Sequence, residues 1–389
     1  MRPAAAERVA LLDVLRGVAI LGTLGTNVFI FTAVGGLLGY LEAVRPWWES
    51  PDAALAAAAS FLTNGKFLSL LSIMFGVGLE LQYRSARRRG LRWPGWYRWR
   101  AALLFLDGLL HYLLVVEFDI LMGYAVTAVI AAGLMARGER AVRVAMWVAG
   151  AVHVVLLALL TAVAALAPGG GSFESTGTLF VDGPWWAQVV HRWDNLLPYR
   201  AEAIGALPLT VFLFLLGVRL ARAGAFDPDE RGRALRRRLG RIGLWVGVPP
   251  NLVATFWPGG ALLVLGRWGV APLMALLYLA LVAWLVEAGR ARRLQARLGE
   301  VKRMALSSYV LQNVIGSVFF YGWGLGLATR VTEANALWSV VAWVGIALAL
   351  MAVAHAWLRR FDQGPLEAVW RRLYLLPQRP RGRAAGQPA

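Results

Sequence analysis

Apolar runs of about twenty residues recur along this chain from residue 10 to residue 358. A run of that length is what a helix needs to cross the hydrocarbon of a bilayer. Ten spans are predicted, near 10–32, 54–82, 98–116, 119–136, 142–167, 203–221, 238–257, 261–287, 303–324 and 335–358. Composition agrees with them. The chain of 389 residues is 59% hydrophobic and 16% charged, with a mean hydropathy of +0.58. An ordinary soluble domain is about 45–50% apolar and about 25% charged. No segment is long and polar enough for a large soluble domain. The expected fold class is all-α: a polytopic membrane protein of about ten transmembrane helices. Residues 1–376 form a single transmembrane domain in this reading, with 377–389 a disordered tail.

The formal net charge of +18 comes almost wholly from arginine. In a membrane protein such charge sets topology and meets anionic lipid headgroups, so nucleic acid is not expected as a partner. Of the 40 Lys and Arg, 33 fall in six segments: the N-terminus, 84–100, 136–143, 219–241, 289–303 and the C-terminal end. The intervening loops hold Arg45, Arg192, Arg200 and Arg330. The alternation satisfies the positive-inside rule at every turn and predicts that both termini are cytoplasmic, in a bacterial plasma membrane. Three basic residues, Arg16, Lys66 and Arg267, lie in or near spans. Arg267, near the outer end of its helix, is expected to snorkel.

The chain has no cysteine, so disulfides and thiolate chemistry are excluded. Its four histidines are scattered, with no HxxxH or HxH, and no metal site is expected. GxSxG, P-loop and dinucleotide fingerprints are missing, as is any internal repeat of the kind transporters use. Residues 1–10 enter the first span without a cleavage motif, so a retained anchor is expected. The outside segment 168–202 mixes Gly, Pro and aromatics; it predicts a partly helical interfacial lid with Trp185, Trp186 and Trp193 at headgroup depth.

Polar residues inside the spans mark where function would sit, because a charge in hydrocarbon is costly unless it faces a partner or a cavity. Asp13 and Arg16, three apart, share a helix face and can pair; alternatively Arg16 faces a phosphate entering from the cytoplasm. Lys66 lies a third of the way down the second span, where it either snorkels or serves the site. Asp107 and His111 are four apart on one face, with Asp119 at the next turn and Tyr124 beyond; a histidine with a carboxylate in reach is a candidate general base. His153 and His355 read as packing residues. Ser307, Ser308, Tyr309, Gln312 and Asn313 form a polar stripe that faces protein or a wet cavity. The stretch "RRFDQGPLEAVWRRL" predicts a chain break followed by a surface-lying basic helix with Trp370.

Three blocks carry a resemblance: "LDVLRGVAILGTLGTN", "GKFLSLLSIMFGVGLELQYRSA" with "YRWRAALLFLDGLLHYLLVVEFDILMGYAV", and "MALSSYVLQNVI" with "HAWLRRFDQGPLEAVWRRL". Together they resemble the DUF418, YeiB-like family of bacterial membrane proteins, in order and over nearly the whole chain. The first block is also similar to the opening of heparan-α-glucosaminide N-acetyltransferase and, more faintly, to the acyltransferase-3 family. The resemblance implies an acyltransferase-like part over about 1–167 and a DUF418-like part over about 203–376. It further implies acyl-CoA, acetyl-CoA first, as cytoplasmic donor and a small-molecule, glycan or lipid acceptor outside. Arg16-Gly17 to Asn27 keeps the spacing of the heparan enzyme; the histidine that follows its Asn has no counterpart in 28–40, and His111 is expected to replace it.

On that reading Arg16, held by Asp13, with Arg98 and Arg100 of the basic loop, binds the CoA phosphates. Asn27 orients the thioester, His111 with Asp107 or Asp119 deprotonates the acceptor, and Lys66 stabilises charge. Tyr124, Tyr309, Gln312 and Asn313 line the acceptor site. Membrane lipids are expected partners, and the small-residue helix faces permit a homodimer. A transporter or flippase without chemistry, and a lipid- or quinone-binding structural protein, remain open alternatives.

Overall fold

The computed structural model describes residues 3–42, 45–166, 177–257, 259–331 and 335–376. Among these residues every regular element is a helix. The expected tail 377–389 lies outside the described residues, as do 168–176 of the expected lid.

Helix α1 (Pro3–Thr32) carries the first apolar run, and the short α2 (Gly36–Glu42) follows it. Helices α3 (Pro51–Thr63) and α4 (Lys66–Arg88) are two parts of one apolar rod, broken at Asn64–Gly65. Gly65 sits there at φ 76°, a left-handed value open to glycine at little cost. Helices α5 (Tyr97–Leu114) and α6 (Leu121–Ala136) pack as a hairpin, and α7 (Glu139–Leu166) runs beside them. Three short helices come next: α8 (Leu179–Asp182), α9 (Trp185–Asp194) and α10 (Leu196–Gly205). Helix α11 (Leu207–Arg222) leaves α10 at a 45° bend.

Helices α12 (Glu230–Ile242), α13 (Val248–Phe256), α14 (Gly260–Val264) and α15 (Ala271–Glu287) build the next region. π turns at 243–247 and 265–270 run directly into α13 and α15, where Pro249, Pro250 and Pro272 stand in the first turn. Proline has no N–H for the preceding turn and its ring crowds the carbonyl four residues back; a wider turn absorbs both effects. The chain ends with α16 (Arg292–Arg303), α17 (Ala305–Phe320), α18 (Asn335–Leu358) and α19 (Pro365–Leu375).

Helix α1 is the central post. It packs on α4, α15, α16, α17 and α18, and Leu15, Ala19, Leu24 and Val28 have no exposed surface. Gly17 lets α16 approach so closely that a Cβ there would meet the Leu298 carbonyl. Helices α4 and α11 meet through reciprocal glycines, with Gly76 against the Phe214 carbonyl and Gly217 against the Ile73 carbonyl. Such small-residue contacts are how helices associate where lipid removes the hydrophobic drive. The perimeter is apolar: Trp147, Val154 and Val163 of α7 are each more than 60% exposed, a surface suited to hydrocarbon rather than water.

Five helical stretches among the described residues are long and apolar enough to cross a membrane: 10–32, 51–88, 139–166, 260–287 and 335–358. The bent α10–α11 pair makes a sixth. The ten runs seen in the sequence thus differ in kind: α6 and α17 are apolar but have only 16 residues each.

Candidate functional site

A chain of hydrogen bonds crosses the interior from α1 to the α5–α6 turn. Asn27 Nδ2 donates to Asn313 Oδ1 at 3.2 Å. Asn313 Nδ2 in turn reaches His111 Nε2 at 3.2 Å and the Tyr309 carbonyl at 3.2 Å. His111 Nδ1 lies 2.9 Å from Asp119 Oδ1, and Asp119 Oδ2 accepts the Met122 amide at 3.1 Å. With the Asn313 amide donating to Nε2, the proton of a neutral His111 ring is on Nδ1, pointing at Asp119. The Tyr309 ring lies against the imidazole, centroids 5.1 Å apart. His111, Asp119 and Asn313 are all buried.

Local sequence explains the alignment. Helix α5 ends at Leu114, and residues 115–120 turn back onto it. Gly108 makes the return possible, because a Cβ there would stand 2.5 Å from the Met122 nitrogen and 2.8 Å from Asp119 Oδ2. On α1, Arg16, Thr23 and Asn27 fall on one face, since eleven residues make about three turns.

A second cluster ties α9 to the same turn. Arg192 and Glu117 form an ion pair at 3.7 Å with both side chains fully buried. Glu117 also accepts from the Tyr321 hydroxyl at 3.2 Å and the Leu37 amide at 3.3 Å. Arg192 Nη1 donates to the Leu113 carbonyl at 3.0 Å, and the Tyr112 hydroxyl donates to the Arg192 carbonyl at 2.6 Å. From α10, Arg200 donates to the main-chain carbonyls of Glu117 and Asp119 and stacks over the Tyr112 ring at 4.2 Å.

Between these clusters lies a cavity of about 90 Å³, room for roughly six waters or a small acyl group. Its wall includes Thr23, Thr26 and Asn27 of α1, Phe118 and Asp119 of the turn, Tyr124, Tyr199, Arg200, Glu202, Arg267, Trp268 and Tyr309. His111 and Asn313 stand one layer behind Asp119 and Asn27. Helix α10 forms one wall of it through Tyr199, Arg200, Glu202 and Ala203, while on α9 Gln188 and Arg192 are buried and Trp186 and Trp193 exposed.

The expected site residues divide accordingly. Asn27, Asp119, Tyr124 and Tyr309 are on the cavity wall, and His111 and Asn313 are bonded to them. Tyr124 is held by Ser72 at 2.7 Å. Gln312 is buried but off the wall, its amide directed to Thr23 at 3.4 Å. Asp107 does not join His111; it stands beside Trp370, because the turn presents Asp119 to the imidazole instead. Lys66 donates to the Ser60 carbonyl at 3.0 Å, capping the C-terminal end of α3, where a cation suits the exposed carbonyls. Arg267 does not snorkel: it binds Glu202 at 2.8 Å and Asn64 Oδ1 at 2.7 Å.

At the other end of α1, Asp13 pairs with Lys302 at 2.8 Å rather than with Arg16. Arg16 turns toward α4, donating to the Met74 carbonyl at 3.2 Å in space left by Gly78. Arg100 is within electrostatic reach of Arg16 and lies over the Trp370 ring at 4.9 Å. Arg98 is exposed on the surface nearby. Some 16 Å separates Arg16 from Asn27 along the helix, at 1.5 Å per residue.

Glu117, Arg192, Arg200 and Glu202 join the site without having been among the expected residues. Glu117 carried a readable signal: a carboxylate inside "LLVVEFDILMG", between two apolar runs. The two arginines carried none, since in the sequence they are ordinary loop charges. His191, on α9, hydrogen-bonds the Tyr199 hydroxyl at 3.1 Å; burial pushes its pKa below the ordinary histidine value. Among the described residues no group of three His, Cys, Asp or Glu is placed to hold a metal.

A bundle with a lipid-suited perimeter, several helices long and apolar enough to cross a bilayer, and a buried polar relay defines an α-helical membrane protein. Comparison with known proteins narrows the class. Residues 220–377 match the family described as "Protein of unknown function (DUF418)". The "Uncharacterized protein YxaH" of Bacillus subtilis (strain 168) is 27% identical over 96% of this chain and 96% of its own. The "Uncharacterized protein YeiB" of Escherichia coli (strain K12) is 29% identical over 95% of this chain and 97% of its own. An uncharacterized 39.9 kDa protein of Bacillus acidopullulyticus is 27% identical over 94% and 93%. The family match covers residues 220–377, and the chain is similar to these relatives over nearly its whole length.

Proposed function

We propose that this protein is a membrane acyltransferase that moves an acyl group from cytoplasmic acyl-CoA to an acceptor on the outer side of the membrane. The observation that carries the reading is the buried Asp119–His111–Asn313–Asn27 relay beside the cavity. A carboxylate on Nδ1 fixes the tautomer that leaves Nε2 basic and stabilises the imidazolium that forms. An acceptor hydroxyl or amine reaching Nε2 would take the place of the Asn313 amide. Its proton passes to Nε2, its oxygen or nitrogen bonds the thioester carbonyl, and Asn27 and the freed Asn313 amide donate to the oxyanion. Collapse breaks the C–S bond, and the proton on Nε2 goes to the departing CoA sulfur. Arg16, which has no carboxylate within 4 Å among the described residues, and Arg100 would receive the CoA phosphates.

The reading includes ten spans, with α5, α6 and α17 crossing alongside the longer helices, both termini cytoplasmic, and residence in the bacterial plasma membrane. The charge alternation supports it. Membrane lipids surround the bundle, and the acceptor is a small molecule, glycan or lipid. Calorimetry with acetyl-CoA on detergent-purified protein tests the donor site. Micromolar binding lost in Arg16→Ala supports it; absence of binding by the folded wild type rejects it.

Transport of a small metabolite or lipid is the second reading. It is favoured by the Asn313 amide that occupies His111 Nε2 and by the ion pair that clamps α9 to the α5–α6 turn. Counterflow in proteoliposomes that survives His111→Ala but not Arg16→Ala would select it.

A further inference from the structure

The cavity wall carries two carboxylates, Asp119 and Glu202, and two guanidinium groups, Arg200 and Arg267, but only Glu202 and Arg267 are in direct contact. Glu202 is committed to Arg267 at 2.8 Å, and Asp119 to His111 at 2.9 Å. Arg200 also lines the wall, yet no carboxylate lies within 4 Å of its guanidinium among the described residues. Its partners are two main-chain carbonyls, of Glu117 and Asp119, and the Tyr112 ring. Its Nε is buried and has no hydrogen-bond partner. Lys66, next to the wall residue Gly65, adds a second buried cation whose partner is the neutral Ser60 carbonyl. A guanidinium with a buried, unpartnered Nε and a buried ammonium, neither in contact with a counter-ion, are costly, and a bound anion relieves that cost. The guanidinium presents N–H groups that match carboxylate or phosphate oxygens.

We propose that the cavity binds a small molecule carrying an anionic group, a carboxylate or a phosphate ester, received by Arg200. The rest of that molecule would lie among Thr23, Thr26 and Asn27, which offer hydroxyl and amide partners to a polar, hydroxylated body. The cavity volume restricts it to a few heavy atoms inside the wall. The assignment goes beyond acyl transfer: it names the class of molecule at this site whether that molecule is acylated or carried.

The test is thermal unfolding of the full-length protein in detergent at constant ionic strength, titrated with D-glycerate, glycerol 3-phosphate or glycerol. A ligand that binds only the folded state raises Tm in a saturable way. Saturable stabilisation by D-glycerate or glycerol 3-phosphate, with none from glycerol, is expected, and the preferred anion identifies carboxylate or phosphate. In Arg200→Gln the apparent Kd should rise at least tenfold, whereas in Arg16→Ala it should stay within twofold. Equal response to all three compounds overturns the proposal, as does an anion effect abolished by Arg16→Ala and intact in Arg200→Gln. Should Arg200→Gln not fold, the wild-type contrast between the anions and glycerol decides the matter, with Arg200→Lys expected to keep the preference. Acyl-CoA binding is measured separately, so failure of the donor reading and failure of this one are distinguishable.

Discussion

Asp119 Oδ1 sits 2.9 Å from His111 Nδ1, although the two residues belong to different sides of the α5–α6 turn and neither side chain has solvent exposure above 1%. A buried carboxylate–imidazole pair of this kind fixes which imidazole nitrogen is free to exchange a proton.

His111→Ala should abolish acyl transfer, measured with radiolabelled acetyl-CoA in proteoliposomes. Asp119→Asn should lower the rate about 10²–10⁴-fold, the range a positioned proton-transfer group contributes. Acetyl-CoA affinity should stay within twofold in both, because the donor phosphates are assigned to the Arg16 end. Full turnover by His111→Ala would refute the base assignment.

Glu117→Gln should destabilise the protein by about 3–5 kcal/mol, since it leaves Arg192 buried without its counter-charge. The double variant Glu117→Gln with Arg192→Met should recover part of that loss. Thermal unfolding in detergent reads both; additive losses in the double variant would show that the pair is not coupled.

Gly108→Ala places a Cβ between α5 and the returning turn, 2.8 Å from Asp119 Oδ2. The turn must shift, at a cost of about 1–3 kcal/mol, and Asp119 moves off His111. The variant should resemble Asp119→Asn in activity while keeping acetyl-CoA binding. Wild-type activity in Gly108→Ala would mean that the turn tolerates displacement.

The α8–α10 segment should loosen in acid. Burial lowers the His191 pKa in the folded protein, so the unfolded segment binds a proton more readily. The contribution is complete above the unfolded value of about 6.5 and falls away as pH drops through the folded value. Limited proteolysis across 177–205 should be faster at pH 5 than at pH 7.5, and His191→Gln should flatten the difference. Equal rates in the wild type at both values would remove His191 as the cause.

How much was legible follows from the range of each interaction. Long apolar runs, the helical class, the membrane setting and the Pro-started helix α19 depend on local composition and could be read directly. So could the polar stripe of α17, whose Tyr309, Gln312 and Asn313 are all buried, because a 3.6-residue period puts them on one face. Sequence spacing left both Asp107, four residues away, and Asp119, at the next turn, as partners for His111. The choice fell to Asp119 because Gly108 lets the next turn fold back, a contact that no local pattern encodes. In the same way Asp13 found Lys302, 289 positions later, instead of the arginine one turn along. Arg192 and Arg200 look like loop charges in the sequence, and Arg267 like a snorkelling one near a helix end. Only the packing of α9, α10 and the second π turn against α1 and the α5–α6 turn brings them inside, where a charge must find a partner or cost stability. The sequence by itself determined that this is a helical membrane protein with polar residues carried into its spans. Tertiary structure decided which of them meet, because those meetings join residues on helices distant in the chain.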